Sequence, residues 1–197
     1  MKKIAVSVVV AALALSGCVP SVNPFYTDRD VVFDARLLGE WRAMEQSDGI
    51  EVWKFEKSSN TAYRLTVAGE DSKQGQFEAH LFKLKQNYFL DLVPSDCQFA
   101  TNQADLVAWA MFPGHLLLRV PQMEPTLKLA FFDFDWLEKH LKKNPKVLAH
   151  RRQEDRLILT AETRDLQHFV LKHLREGELF QKPGELVHTT SASAPGR

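Results

Sequence analysis

The sequence is short of several things at once. It has two cysteines among 197 residues, nine glycines, a formal charge of zero at neutral pH and one long hydrophobic run. Each shortage excludes something. Two cysteines cannot build the multi-bridge framework of small secreted proteins. The glycines form no phosphate-cradling loop, and neither Gly-x-Ser-x-Gly nor Ser-x-x-Lys is present. Basic and acidic side chains balance at 25 each, so there is no surplus for nucleic acid and no polybasic run for anionic lipid. The seven histidines form no His-x-x-x-His or Glu-x-x-His pair with a third ligand at a known spacing. His168 and His173, five apart on a predicted helix, point about 140° apart. These patterns imply no metal, no cofactor and no catalytic residue.

What the chain does have starts at its N-terminus. Lys2 and Lys3 precede an apolar run of 12 residues, 4–15. A positive head, a core of roughly 7–15 apolar residues and a small-residue exit describe a secretory signal peptide. The run is too short for a membrane-spanning helix, which needs about 20 residues. The exit reads Leu15-Ser16-Gly17-Cys18. This resembles the bacterial lipobox, a branched apolar residue and two small residues before a cysteine. The resemblance implies that Leu15, Ser16 and Gly17 are read by a lipoprotein signal peptidase. It implies that Cys18 carries a diacylglyceryl thioether and an acylated amine. Stable attachment takes at least two acyl chains at about 0.8 kcal/mol per buried methylene, which such an anchor supplies. The residue after Cys18 is Val19 and not Asp. In lipoproteins of enterobacterial type this favours the outer membrane, facing the periplasm.

Loss of residues 1–17 leaves 180 residues and a charge of −2, with 23 basic groups against 25 acidic. That is enough for one domain with a good core. Residues 18–35 read as a lipidated tether and domain entry, extended at first, with Phe25, Tyr26, Val31, Val32 and Phe33 docking on the domain itself. Residues 36–175 read as the β-rich domain, and residues 176–197 as a disordered tail. Cys97, beside Asp96, reads as a small residue in a loop and not as a reactive thiol.

Inside the domain the apolar pattern has period two. "AYRLTV", "YFLDLV", "HLLLRV", "TLKLAF" and "RLILTA" each put apolar residues on one side. The phase shifts between Leu81 and Phe82, which predicts a bulge or bend. Close spacing implies antiparallel hairpins. Two helices interrupt: "WLEKHLKKN", capped by Asp135 with Glu138 returning, and a second capped by Thr163, with Leu166, Phe169, Val170, His173 and Leu174 as its buried stripe. A third, weaker helix is expected at residues 103–110. The expected fold is mainly β: an antiparallel up-and-down meander of about eight strands closing to a barrel, with two or three short helices.

"LLGEWRA" places Gly39-Glu40-Trp41 at the first strand. This is similar to the Gly-x-Trp of lipocalin and calycin barrels. The resemblance implies that Gly39 and Trp41 form the barrel floor, covered by a late arginine, with Arg164 the first choice and Arg156 the alternative. A guanidinium over an indole face would make a cation–π lid. After Trp41 the chain departs from that family's pattern, with Arg42, Ala43 and Met44. In such a barrel Trp53, Phe55, Tyr63, Tyr88 and Phe131, with Phe77, Phe82, Phe89 and Phe132, either line a pocket for an apolar small molecule or lipid, or fill the core. Residues 94–114 read as a lid or a partner-facing patch. Two roles are compatible with these features: a lipid-anchored barrel with an apolar ligand, or a non-enzymatic structural or assembly accessory that engages an envelope protein.

Overall fold

Side chains alternate along a strand, so one apolar face needs one partner layer and two apolar faces need two. The computed structural model describes residues 19–44, 50–69, 74–95, 113–154 and 156–189. The strands are β1 (Gly39–Ala43), β2 (Ile50–Lys57), β3 (Tyr63–Gly69), β4 (Gln74–Leu84), β5 (Asn87–Pro94), β6 (Leu116–Gln122), β7 (Thr126–Phe131), β8 (His150–Gln153), β9 (Arg156–Leu159) and β10 (Gly184–His188). The helices are α1 (Phe134–Lys143) and α2 (Thr163–His173). Eight strands close a barrel in the order β1-β10-β7-β6-β5-β4-β3-β2, every pair antiparallel. The hairpin β8–β9 stands apart from it.

The inward face is nearly all apolar. Trp41, Trp53, Phe55, Tyr63, Leu65, Leu81, Leu90, Leu118, Leu127 and Leu186 form one cluster, each at most 6% exposed. A second cluster lies outside the barrel. Phe82, Phe89 and Leu117 from β4, β5 and β6 meet Leu137 and Leu141 of α1, Leu166, Phe169 and Val170 of α2, Leu157 and Leu159 of β9, and Val19 and Phe25 of the N-terminal strap. The apolar phase shift at Leu81 and Phe82 is therefore not a bulge. The β4–β5 ladder runs unbroken from Phe77↔Pro94 to Leu84↔Asn87, with Leu81 facing in and Phe82 facing out. In β5 the four residues 89–92 are all buried for the same reason.

The C-terminal segment departs furthest from expectation. Residues 184–188 are not a free tail: they form β10, the strand that closes the barrel. Trp41↔His188, Arg42↔Val187 and Ala43↔Leu186 join it to β1, and four further pairs from Gly184↔Leu129 to Val187↔Thr126 join it to β7. Its single buried leucine, between charged and small neighbours, carries too little periodicity to read as a strand. The helix caps also shift. Asp133, not Asp135, caps α1, accepting from Trp136 N at 2.8 Å. Glu138 pairs with Lys142 and Arg152 instead of returning to the cap. Glu162 occupies the α2 cap position without a side-chain bond, while the Thr163 hydroxyl donates to the Pro24 carbonyl at 2.8 Å. Residues 1–18, Cys97 and the helix expected at 103–110 lie outside the described residues.

Truncation after Pro183 leaves β1 and β7 with open edges and should abolish the cooperative thermal transition. Truncation after Thr189 should leave that transition unchanged. Thermal melts followed by circular dichroism compare the two.

Candidate functional site

The barrel floor is built from a tight turn. Asp34 caps a single 3-10 turn at Ala35–Leu37, accepting from Arg36 N, and Gly39 follows at φ +115°. Trp41 then points inward at 2% exposure and donates its indole N–H to the Leu37 carbonyl at 2.9 Å. His188, directly opposite in β10, meets the indole edge-on at 4.8 Å and bonds through Nε2 to the Leu38 carbonyl at 3.2 Å. A Cβ on residue 39 would lie 2.2 Å from His188 Nε2, so glycine is required by both space and backbone angle. The cover over Trp41 is therefore His188 and not Arg164. The Arg164 side chain is 90% exposed on α2 beside Asp165, and Arg156 is exposed on the outer hairpin. Both arginines belong to elements packed outside the barrel, out of reach of its interior.

The expected pocket residues do come together. Trp53 stacks near Phe55 at 6.5 Å, and Phe55 meets Tyr63 edge-on at 6.2 Å. Phe33, from the segment crossing the barrel end, stacks on Tyr63 at 4.8 Å. The Tyr63 hydroxyl accepts from Asp34 N at 2.6 Å and donates to Asp34 O at 3.0 Å, and burial pushes its pKa up to about 12. Tyr88 and Phe131 pack half-buried against the same cluster, with Lys83 Nζ 5.2 Å from the Tyr88 ring. Trp53, Phe55 and Tyr63 are 6%, 1% and 0% exposed, so almost none of their surface meets water. Phe82, Phe89 and Phe132 do not belong to this group: they face the outer cluster.

A polar group that sequence reasoning missed sits on the outer face. Asp91 is 0% exposed. Its Oδ2 accepts from Phe25 N at 2.9 Å, and its Oδ1 lies 2.7 Å from His115 Nδ1. His80, its cross-strand partner, stacks under Tyr26 at 4.8 Å. Burial, then the Asp91 charge, pushes the Tyr26 phenol up to about 12. Ser21 and His115 exchange both backbone bonds at 2.9 Å. Ser21 is itself 0% exposed, and its hydroxyl makes no hydrogen bond to a described residue. The arrangement fastens the strap at residues 19–33 to the barrel. One signal pointed to it: an aspartate in the middle of the apolar run "YFLDLV".

A second polar contact forms between the helices. His140 of α1 and His173 of α2 meet at 4.6 Å, edge to face, flanked by Trp136 and Phe169. His173 Nδ1 lies 2.7 Å from Glu176 Oε2. Burial, then the neighbouring His173, holds the His140 imidazole below its ordinary value; Lys172 and Lys143 add to this and Glu176 opposes it. Among the described residues no group of three or more His, Cys, Asp or Glu is placed to hold a metal ion.

Asp91→Ala leaves His115 and the Phe25 N–H without their acceptor and should cost about 3 kcal/mol. In a thermal melt this is a fall of roughly 6–12 °C, with Asp91→Asn falling less because one acceptor remains. His140 titrates lower when folded than its ordinary 6.5, so the unfolded chain takes up the proton first. The stability it contributes is present above pH 6.5 and is lost as pH falls through the folded value. His140→Phe should therefore flatten the decline in melting temperature between about pH 7 and about pH 5 relative to the parent. Comparison with known protein families, with curated proteins and with solved structures finds no match to this chain.

Proposed function

We propose that the protein is a bacterial envelope lipoprotein, attached by acyl chains on Cys18, that acts as a non-enzymatic structural or assembly accessory through its outer surface. The packing of the barrel carries this reading. Its middle is occupied by side chains at 0–6% exposure. A carrier of small molecules keeps a cavity of roughly 300 Å³ or more. The strap agrees with the anchor. Val19, next to Cys18, is 2% exposed, so acylation at Cys18 would hold the body close against the leaflet with little free tether. Val19 also fits sorting to the outer membrane, facing the periplasm.

An apolar small molecule or lipid inside a lipocalin-type barrel is the second reading. It is favoured by the lining, which is aliphatic and aromatic throughout. It requires the buried inward side chains to rearrange and admit the ligand.

Cys18→Ser should abolish incorporation of labelled palmitate and leave an unprocessed precursor. A parent protein that takes up no label would end the lipoprotein reading. Native mass spectrometry of protein extracted gently from membranes should show the acylated chain alone. Stoichiometric co-purified lipid would transfer support to the second reading.

A further inference from the structure

The strap and the outer hairpin are joined in a way that places one charged surface beside the anchor. Leu159 N donates to the Pro20 carbonyl and Val22 N donates to the Leu159 carbonyl, both at 2.9 Å, and Ser21 and Leu159 pair in parallel. Parallel chains advance together at about 3.3 Å per residue. Going back along the strap from Ser21 to Val19 therefore runs beside β9 from Leu159 to Leu157, toward the β8–β9 turn. Val19, the residue next to Cys18, comes level with Leu157, one residue from Arg156 at the start of β9.

The hairpin carries Arg151, Arg152 and Arg156 against Glu154 and Asp155 between its strands, and α1 with the segment after it adds Lys139, Lys142, Lys143 and Lys146. Cross-strand partners share a face, so Leu157 and Leu159 face the outer core while Arg151, with Ile158, and Arg156, with Gln153, face away from it. Lys142, Lys143, Lys146, Arg151, Arg152 and Arg156 are all exposed. Glu138 links α1 to the hairpin by pairing with both Lys142 and Arg152. Residues 139–156 hold seven Lys or Arg against Glu154 and Asp155, a surplus of five. The mature chain as a whole carries −2, so everything outside this stretch carries −7. The basic residues are too dispersed in sequence to form a polybasic run. The fold ties Lys142 of α1 to Arg152 of the hairpin through Glu138, and the strap pairs with β9 of the same hairpin.

We propose that the β8–β9 hairpin is a membrane-contact surface for anionic phospholipid, with Arg151 and Arg156 bonded to headgroup phosphates. The proposal rests on acylation of Cys18, which supplies proximity; the charge asymmetry supplies orientation. An anionic leaflet attracts the basic face and repels the acidic remainder. Guanidinium groups match phosphate with paired N–H donors. The short connection from strap to anchor leaves this face little freedom to turn away.

The test uses the natural acylated protein, inserted into vesicles of phosphatidylcholine alone or with phosphatidylglycerol. Phenylglyoxal modifies accessible arginines, and mass spectrometry reads each site. Arg42 on β1, its side chain 56% exposed on the opposite wall of the barrel, is the internal reference. The expected result is a several-fold fall in the reactivity of Arg151 and Arg156 in the anionic vesicles, reversed by high salt, with Arg42 unchanged. The single variants Arg151→Glu and Arg156→Glu each change one exposed side chain, so each should stay anchored and lower the protection of the remaining arginine of the pair. Equal reactivity in both vesicle types, with acylation intact, overturns the proposal and leaves the lipoprotein reading standing. Protection in native membranes but not in anionic vesicles also overturns it, in favour of a protein partner. A protein that carries no acyl chain and does not join vesicles overturns both.

Discussion

One wall of the barrel, formed by β4, β5 and β6, is apolar on both faces, and most of the architecture answers to that constraint. A strand with two apolar faces has to be covered twice. The barrel interior covers the first face with Leu81, Leu90 and Leu118. The second face, with Phe82, Phe89 and Leu117, would be an exposed patch if the chain ended with a plain barrel. The strap, the two helices and the outer hairpin are what cover it. Asp91 is the fully buried carboxylate on that face, and its two oxygens are satisfied by Phe25 of the strap and His115 just before β6. A buried carboxylate is tolerated only with such partners, so the same residue that threatens the outer core also specifies where the strap must lie.

Closure of the barrel depends on a contact between the two ends of the domain. β1 begins just after the strap, and β10 arrives after both helices and the hairpin have been laid down on the outside. The pairing of Trp41 with His188 brings together residues far apart in the chain, and the same histidine reaches back to Leu38 across 150 positions. Gly39 is the local condition for this: its backbone turns where a side chain would collide with His188. The floor is thus an indole, an imidazole and a glycine that fit only together.

These packing facts bear on function through what they leave available. The interior is occupied by its own aromatic rings, and the strap is fastened from Val19 onward. What the protein presents to its surroundings is an outer surface with an uneven charge distribution, with Lys142, Lys143, Lys146, Arg151, Arg152 and Arg156 all exposed.

The parts of this protein that were legible in the sequence are those written within a few residues. Period-two alternation in "AYRLTV" or "TLKLAF" marks a strand because neighbouring side chains must point to opposite faces. Gly39-Glu40-Trp41 is placed at the start of β1 by its Gly-x-Trp spacing, and β1 does begin at Gly39. Where alternation was lost, the local signal misled: Leu81 and Phe82 read as a bulge although the strand is regular, and β10 read as a tail. Only the tertiary structure decided that both faces of one wall are buried, that His188 and not Arg164 covers Trp41, that His140 meets His173, and that the arginines of β8 and β9 stand beside the strap. Each of those depends on the register between segments distant in the chain. That register is set by the global match of apolar faces and buried polar partners, and no short window of sequence contains it.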